Sequence, residues 1–279
     1  MSENCTHDCS TCKSACSERK IEKVPLHAGS TVKKVVAVMS GKGGVGKSLV
    51  SALMTAKMKK LGFNSAIIDA DLIGASVPTC FGVQGERILG DDKGIMVPVK
   101  TKSGIQIMSI NFMLEHETDP VALRAAMVTG YLVQFWKDAL WENVDFMFID
   151  MPPGTGDIPM TVFQSIPVDG IIIVSTPQDL VRVIVEKSLK FARLMKVPVL
   201  GIVENMSYVK CPDCGKEIPI FGKGNVERVA LEYGIPLLAR IPISSEISEK
   251  IDNGDVEGIE SEFLNPVSDM IRATLGEEK

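Results

Sequence analysis

No apolar run in this 279-residue chain approaches eighteen residues, which excludes an ordinary transmembrane helix. Its first twenty residues lack an apolar core segment, so they do not read as a secretory signal. Basic charge is not in excess either. Thirty Lys and Arg against 35 Asp and Glu leave a net charge of −5, which offers no electrostatic footprint for nucleic acid or anionic lipid. Internal repeats and low-complexity segments are missing too. What remains is ordinary for a soluble globular protein, with 45% hydrophobic and 23% charged residues over a length suited to one large α/β domain. The expected compartment is the cytoplasm, where thiols stay reduced and clustered cysteines point to metal rather than disulfides.

The most informative segment is Gly41-Lys42-Gly43-Gly44-Val45-Gly46-Lys47-Ser48, which fits G-x-x-x-x-G-K-[ST]. Glycines let such a loop reach positive φ and bring its backbone N–H groups onto phosphate oxygens. Lys47 is placed to reach the β- and γ-phosphates, and the Ser48 hydroxyl to ligate Mg²⁺. An apolar run precedes the loop, and Leu49, Val50, Leu53, Met54, Met58 and Leu61 follow it at helical spacing. Strand, loop and helix N-terminus together aim a helix dipole at bound anions.

Beyond the loop, short apolar runs alternate with helical patterns, which predicts βαβ units and a doubly wound, mostly parallel sheet. Buried strands are expected at 35–39, 66–69, 146–150, 171–175 and 199–203, with a strand pair at 95–99 and 105–110 beside the sheet. Helices are expected at 48–61, 120–141, 180–195, 225–233 and 263–275. Residues 1–32 read as a cysteine-rich tail and 33–279 as the nucleotide-binding domain. An insertion at 207–221 carries Cys211-Pro212-Asp213-Cys214.

Carboxylates are expected at the carboxyl edge of the sheet, where doubly wound folds bind ligands. Asp150 ends an apolar run, as a Walker-B aspartate should, and leads into Met151-Pro-Pro-Gly-Thr-Gly-Asp157, a candidate switch loop. Asp69 and Asp71 end a second strand. Asn205 follows a third, at a position suited to base contact. The guanine-reading Asn-Lys-x-Asp pattern is absent there, which favours ATP over GTP.

With Lys42 directly after its first glycine, the loop resembles the deviant Walker A of the MinD/ParA/nitrogenase-iron-protein superfamily. Asp150-Met-Pro-Pro-Gly-Thr-Gly-Asp157, Val203-Glu-Asn-Met-Ser207 and Cys211-Pro-Asp-Cys214 are similar to the Mrp/ApbC branch, the iron–sulfur carrier ATPases. The resemblance spans roughly residues 33–275. It departs at Arg124-Ala-Ala-Met127, where many relatives read Arg-Gly-Pro-Met. It implies a MinD-like fold and a homodimer in which Lys42 reaches the partner's nucleotide. Asp71 would orient the attacking water, Asp150 and Asp157 would couple Mg²⁺ and phosphate to the second switch, and Asn205 would contact adenine. The implied partners are apo iron–sulfur proteins and cluster assembly factors, with neither nucleic acid nor membrane.

Cys211 and Cys214 supply two soft ligands where a closed metal site needs four, and a two-fold dimer would supply the other pair. The resemblance implies a bridging 4Fe–4S cluster; zinc is the rival, and a metal-free reduced pair is the remaining alternative. In the tail, Cys5, Cys9, Cys12 and Cys16 would form one helical stripe, but eleven residues of helix would separate its ends by about 16 Å. To share one centre they must wrap as a loop, as ferredoxin-type runs do, around a second 4Fe–4S cluster or, with His7, zinc. Cys80 is expected to be a buried small hydrophobe.

Two other functions use the same loop. A MinD/ParA-type positioning ATPase that cycles on membranes ends in a basic amphipathic helix, whereas this chain ends in Gly276-Glu277-Glu278-Lys279. A reductase like the nitrogenase iron protein draws its cluster cysteines from two core loops, and here the core between Cys80 and Cys211 holds none.

Overall fold

The structure, a computed structural model, describes residues 23–71, 74–90, 94–114, 125–178, 181–222 and 224–276. Cys5, Cys9, Cys12, Cys16 and Arg124 lie outside the described residues.

Twelve strands are described: β1 (Val32–Ser40), β2 (Ser65–Asp69), β3 (Leu89–Gly90), β4 (Met96–Val97), β5 (Val99–Lys100), β6 (Gln106–Met108), β7 (Val144–Asp150), β8 (Gly170–Ser175), β9 (Val199–Glu204), β10 (Val209–Lys210), β11 (Glu217–Ile218) and β12 (Leu237–Arg240). Eight of them form one sheet in the order β12-β9-β8-β1-β7-β2-β6-β5. Every neighbouring pair in it is parallel except β5 with β6. The helices are α1 (Lys47–Lys60), α2 (Val77–Cys80), α3 (Ala125–Lys137), α4 (Asp157–Ser165), α5 (Val181–Met195), α6 (Val226–Tyr233), α7 (Ser245–Asp252) and α8 (Asn265–Leu275).

Alternation along β1 sets the two layers. Val35, Ala37 and Met39 join the core that takes in Leu132 and Phe135 of α3, Phe163 of α4 and Leu189 of α5. Val36 and Val38 face the opposite core, with Leu53 and Met54 of α1 and Ile271 of α8. Strands covered on both faces must be apolar throughout, which is why the central runs could be found in the sequence. The doubly wound fold is the predicted one.

Three details differ from the sequence-based expectation. Residues 95–99 and 105–110 do not simply pair with one another: β4 pairs with β3 in a separate hairpin, while β5 pairs with β6. β6 in turn lies parallel to β2 inside the main sheet. The Met151–Asp157 loop turns directly into α4, which was not anticipated. Finally, attachment to the body begins before residue 33, since Val24 donates its N–H to Ser165 O at 2.8 Å and accepts from the Trp136 indole at 2.8 Å.

Candidate functional site

The loop between β1 and α1 lies at the carboxyl edge of the sheet. Gly44 and Gly46 take φ of 76° and 77°. Gly46 is required twice over, because a Cβ there would also come within 2.1 Å of Asn205 Nδ2. The first turn of α1 carries no acidic residue, while Lys57, Lys59 and Lys60 sit in its last turn. The positive end of the helix dipole is therefore left free for phosphate. Gly43 to Ser48 line a cavity of about 330 Å³ together with Asp71, Ser76, Cys80 and Ile251. Gly41 and Lys42 start the loop, where Ser40 Oγ donates to Lys42 O at 2.9 Å.

Below the loop lies a buried charge cluster. Lys47 Nζ is 2.8 Å from Asp150 Oδ1 and 3.7 Å from Asp71 Oδ2, and its side chain is only 6% exposed. Ser51, one helical turn beyond Lys47, donates to the same Asp150 oxygen at 2.7 Å. Asp150 Oδ2 is buried with no hydrogen-bond partner among the described residues. Asp69 and Asp150 are register partners on adjacent strands. Burial, and then the neighbouring Asp150 charge, push the Asp69 carboxyl up to about 8. Burial likewise raises Asp71 above the ordinary carboxylate range, against the pull of Lys47. Such a site favours a divalent cation, because charge neutralisation relieves the crowded carboxylates.

The other residues predicted for the nucleotide site make different contacts. Asp157 is exposed in the first turn of α4, where a carboxylate complements the helix dipole. Asn205 is 2% exposed and donates from Nδ2 to Val45 O at 2.9 Å, so its amide holds the loop. Lys42 Nζ donates to Gln178 Oε1 of its own chain. Cys80 is buried in the α1 core, where burial pushes its thiol up to about 12 and makes it inert. Ser51, Gln178 and Ile251 were not anticipated. Only Ser51, four residues after Lys47, carried a local signal.

Cys211 and Cys214 stand apart, in the turn of the β10–β11 hairpin. Cys211 N–H donates to Lys216 O at 2.9 Å, Gly215 N–H donates to Cys211 O at 2.9 Å, and Gly215 takes φ of 71°. The backbone N–H groups of Cys214 and Asp213 point at the Cys211 sulfur and hold its thiol below the usual range, favouring the metal-binding thiolate. Cys214 is exposed, as are Ile218, Ile220 and Phe221 nearby. Among the described residues, no third Cys, His, Asp or Glu joins the pair in a metal-binding group.

Fold and loop together define a P-loop NTPase with the MinD-like arrangement. The family profile described as ParA, NUBPL iron-transfer P-loop NTPase, matches residues 31–274, and the chain belongs to that family. A Clostridium perfringens protein called iron-sulfur cluster carrier protein is 42% identical over 262 residues, covering 92% of this chain and 91% of the relative. One of the same name from Methanocaldococcus jannaschii is 39% identical, covering 90% and 89%. Among solved structures, a nucleotide-binding protein from Archaeoglobus fulgidus in complex with ADP superposes with a TM-score of 0.75 at 40% identity, covering 84% of this chain and 91% of that one. MinD in the MinC:MinD complex of Aquifex aeolicus shares the fold at 17% identity, with a TM-score of 0.60 and coverage of 88% and 97%.

Proposed function

We propose that this protein is an ATP-dependent iron–sulfur cluster carrier. It would act as a homodimer with slow ATPase activity, assemble a 4Fe–4S cluster as cargo between two copies, and pass it to apo-proteins. The observation that carries the proposal is an exposed two-thiol hairpin on a P-loop NTPase body. Two thiolates leave a 4Fe–4S cluster half ligated, and a two-fold axis supplies the same two again. The exposed Ile218, Ile220 and Phe221 give that meeting of hairpins an apolar lining. The carrier names of the similar proteins support the same reading.

The nucleotide roles follow from the geometry. Lys47 would exchange Asp150 for the β- and γ-phosphates, a partner of the same sign in the same buried setting. Asp150 Oδ2, without a hydrogen-bond partner among the described residues, and the Ser48 hydroxyl are hard oxygen donors that would hold Mg²⁺. When bound, Mg²⁺ supplies charge neutralisation at the transferring phosphoryl group. Asp71, half-buried at the cavity wall, would orient the attacking water, and Asp157 would report phosphate state through α4. Lys42 would leave Gln178 and reach the nucleotide of the second copy, which ties closure of the dimer to ATP. Adenine contact by Asn205 would require its amide to share itself between the base and Val45 O. Cys5, Cys9, Cys12 and Cys16 would hold a second cluster.

Anaerobic reconstitution with ferrous iron and sulfide tests the carrier function. With the four tail cysteines changed to Ser, the protein should still acquire a labile cluster and yield it to an apo-ferredoxin. Adding Cys211→Ser and Cys214→Ser should abolish both. Retention of the cluster without those two thiols would refute the assignment.

A further inference from the structure

The insertion bearing Cys211 and Cys214 is bonded to the nucleotide loop at its entrance and, at its exit, packs against the segment that holds that loop's Lys42. At its entrance, Asn205 donates its amide to Val45 O at 2.9 Å, and its backbone N–H bonds Ser175 O at 2.8 Å. The next residue, Met206, sits at φ 56°, a left-handed conformation that is strained for a non-glycine residue and persists only where surroundings enforce it. Ser207 N–H then bonds Ile241 O at 2.9 Å, and Ile243 N–H bonds Tyr208 O at 2.8 Å. Glu204, 5% exposed, accepts from Ser207 Oγ and pairs with Arg240 Nε at 3.4 Å. Every residue from 204 to 208 is thus pinned or strained, and Cys211 follows three residues later.

At the exit, Gly224 lies against Pro177, where an added Cβ would meet the Pro177 backbone at 3.0 Å. Its φ of 46° is left-handed as well. Pro177 directly precedes Gln178, which holds Lys42 of the phosphate loop. Both attachments therefore lead back to the loop, one through Val45 and one through Lys42.

We infer that Met206 and the Gly224–Pro177 contact are positioning elements that transmit nucleotide occupancy to the thiol hairpin. A phosphate that shifts Val45 or draws Lys42 away from Gln178 moves an end of the insertion, and a braced segment passes that displacement on where a slack one would absorb it. This deepens the carrier reading, on which it rests for what the hairpin holds.

Hydrogen exchange of the full chain, with and without Mg–ADP or Mg–ATP, tests the relay. Amides of residues 207–222 should change protection by about fivefold or more in the wild type, the lower end of ordinary allosteric coupling. Met206→Gly, which slackens the entrance, and Gly224→Ala, which displaces the exit, should each cut that response to below about twofold while nucleotide affinity and nucleotide-free hairpin protection stay unchanged. A hairpin indifferent to nucleotide in the wild type, or a full response in Met206→Gly, overturns the inference; should Gly224→Ala fail to fold, Met206→Gly decides alone. A responsive hairpin that holds zinc supports the relay and removes the carrier function, whereas an unresponsive hairpin that holds a cluster does the reverse.

Discussion

The phosphate loop and the thiol hairpin solve opposite problems. Around Lys47, the buried Asp69 and Asp150, the half-buried Asp71 and the Ser51 hydroxyl are gathered under the loop, and most of their polar atoms find a partner within the chain. Around Cys211 the structure is two short strands and a turn, with one thiol exposed and no third ligand among the described residues. A site assembled from one chain can be pre-formed, and its residues then contribute to the stability of the fold. A site that needs four thiolates and holds two can be completed only by something that arrives. Nucleotide chemistry is therefore built into the core, and the proposed cargo is left at the surface.

Substitutions at the two regions should part widely. Lys47→Met leaves Asp150 buried without its cation and should cost about 3 kcal/mol as well as nucleotide binding, whereas Cys214→Ser should alter stability by less than about 0.5 kcal/mol. Denaturant titration of the metal-free chain checks both, and equal costs would erase the distinction.

The buried cluster should also make stability depend on pH. Asp69 sits at about 8 in the folded chain against 3.8 for an unperturbed carboxyl, so the folded state keeps a proton that the unfolded state gives up. Its contribution is complete below 3.8 and drains away as pH rises to about 8, with a slope near 1.4 kcal/mol per unit. Asp69→Asn should flatten that slope in thermal melts between these limits, and an unchanged slope would place the proton elsewhere. Because Mg²⁺–nucleotide favours the ionised carboxylates, its addition should reduce the slope in the wild type as well.

A smaller effect belongs to Ser51. Removing its hydroxyl deletes one hydrogen bond to Asp150, so Ser51→Ala should cost about 1 kcal/mol and weaken Mg²⁺ dependence without abolishing nucleotide binding. Isothermal titration with Mg–ADP reads this directly, and an effect as large as that of Lys47→Met would mean that the hydroxyl, too, reaches the ligand.

What could be read from sequence follows the same division. β1, β7, β8 and β9 are apolar because both their faces are covered, and the loop after β1 is a continuous motif, so fold and phosphate site were visible together. β12 is a four-residue edge strand behind Pro236, α7 buries no residue, and α4 follows directly on Pro-Pro-Gly-Thr-Gly and holds Pro159, so none of the three carries a usable period. β3 and β4 are two residues each, too short for any pattern to fix their pairing. In the site, Lys42 with Gln178 and Asn205 with Val45 are contacts across 136 and 160 residues, which no local spacing encodes. The thiol pair was visible as residues, but the further ligands that the proposed cluster requires are absent from the chain's own pattern.

Native mass spectrometry of the anaerobically reconstituted chain, with Cys5, Cys9, Cys12 and Cys16 changed to Ser, bears most directly on the proposed bridging site. Two copies holding four iron and four sulfide ions between them, and separating when Cys211 and Cys214 are replaced, is the expected result. A single copy carrying one zinc ion, unchanged by ATP, would contradict it.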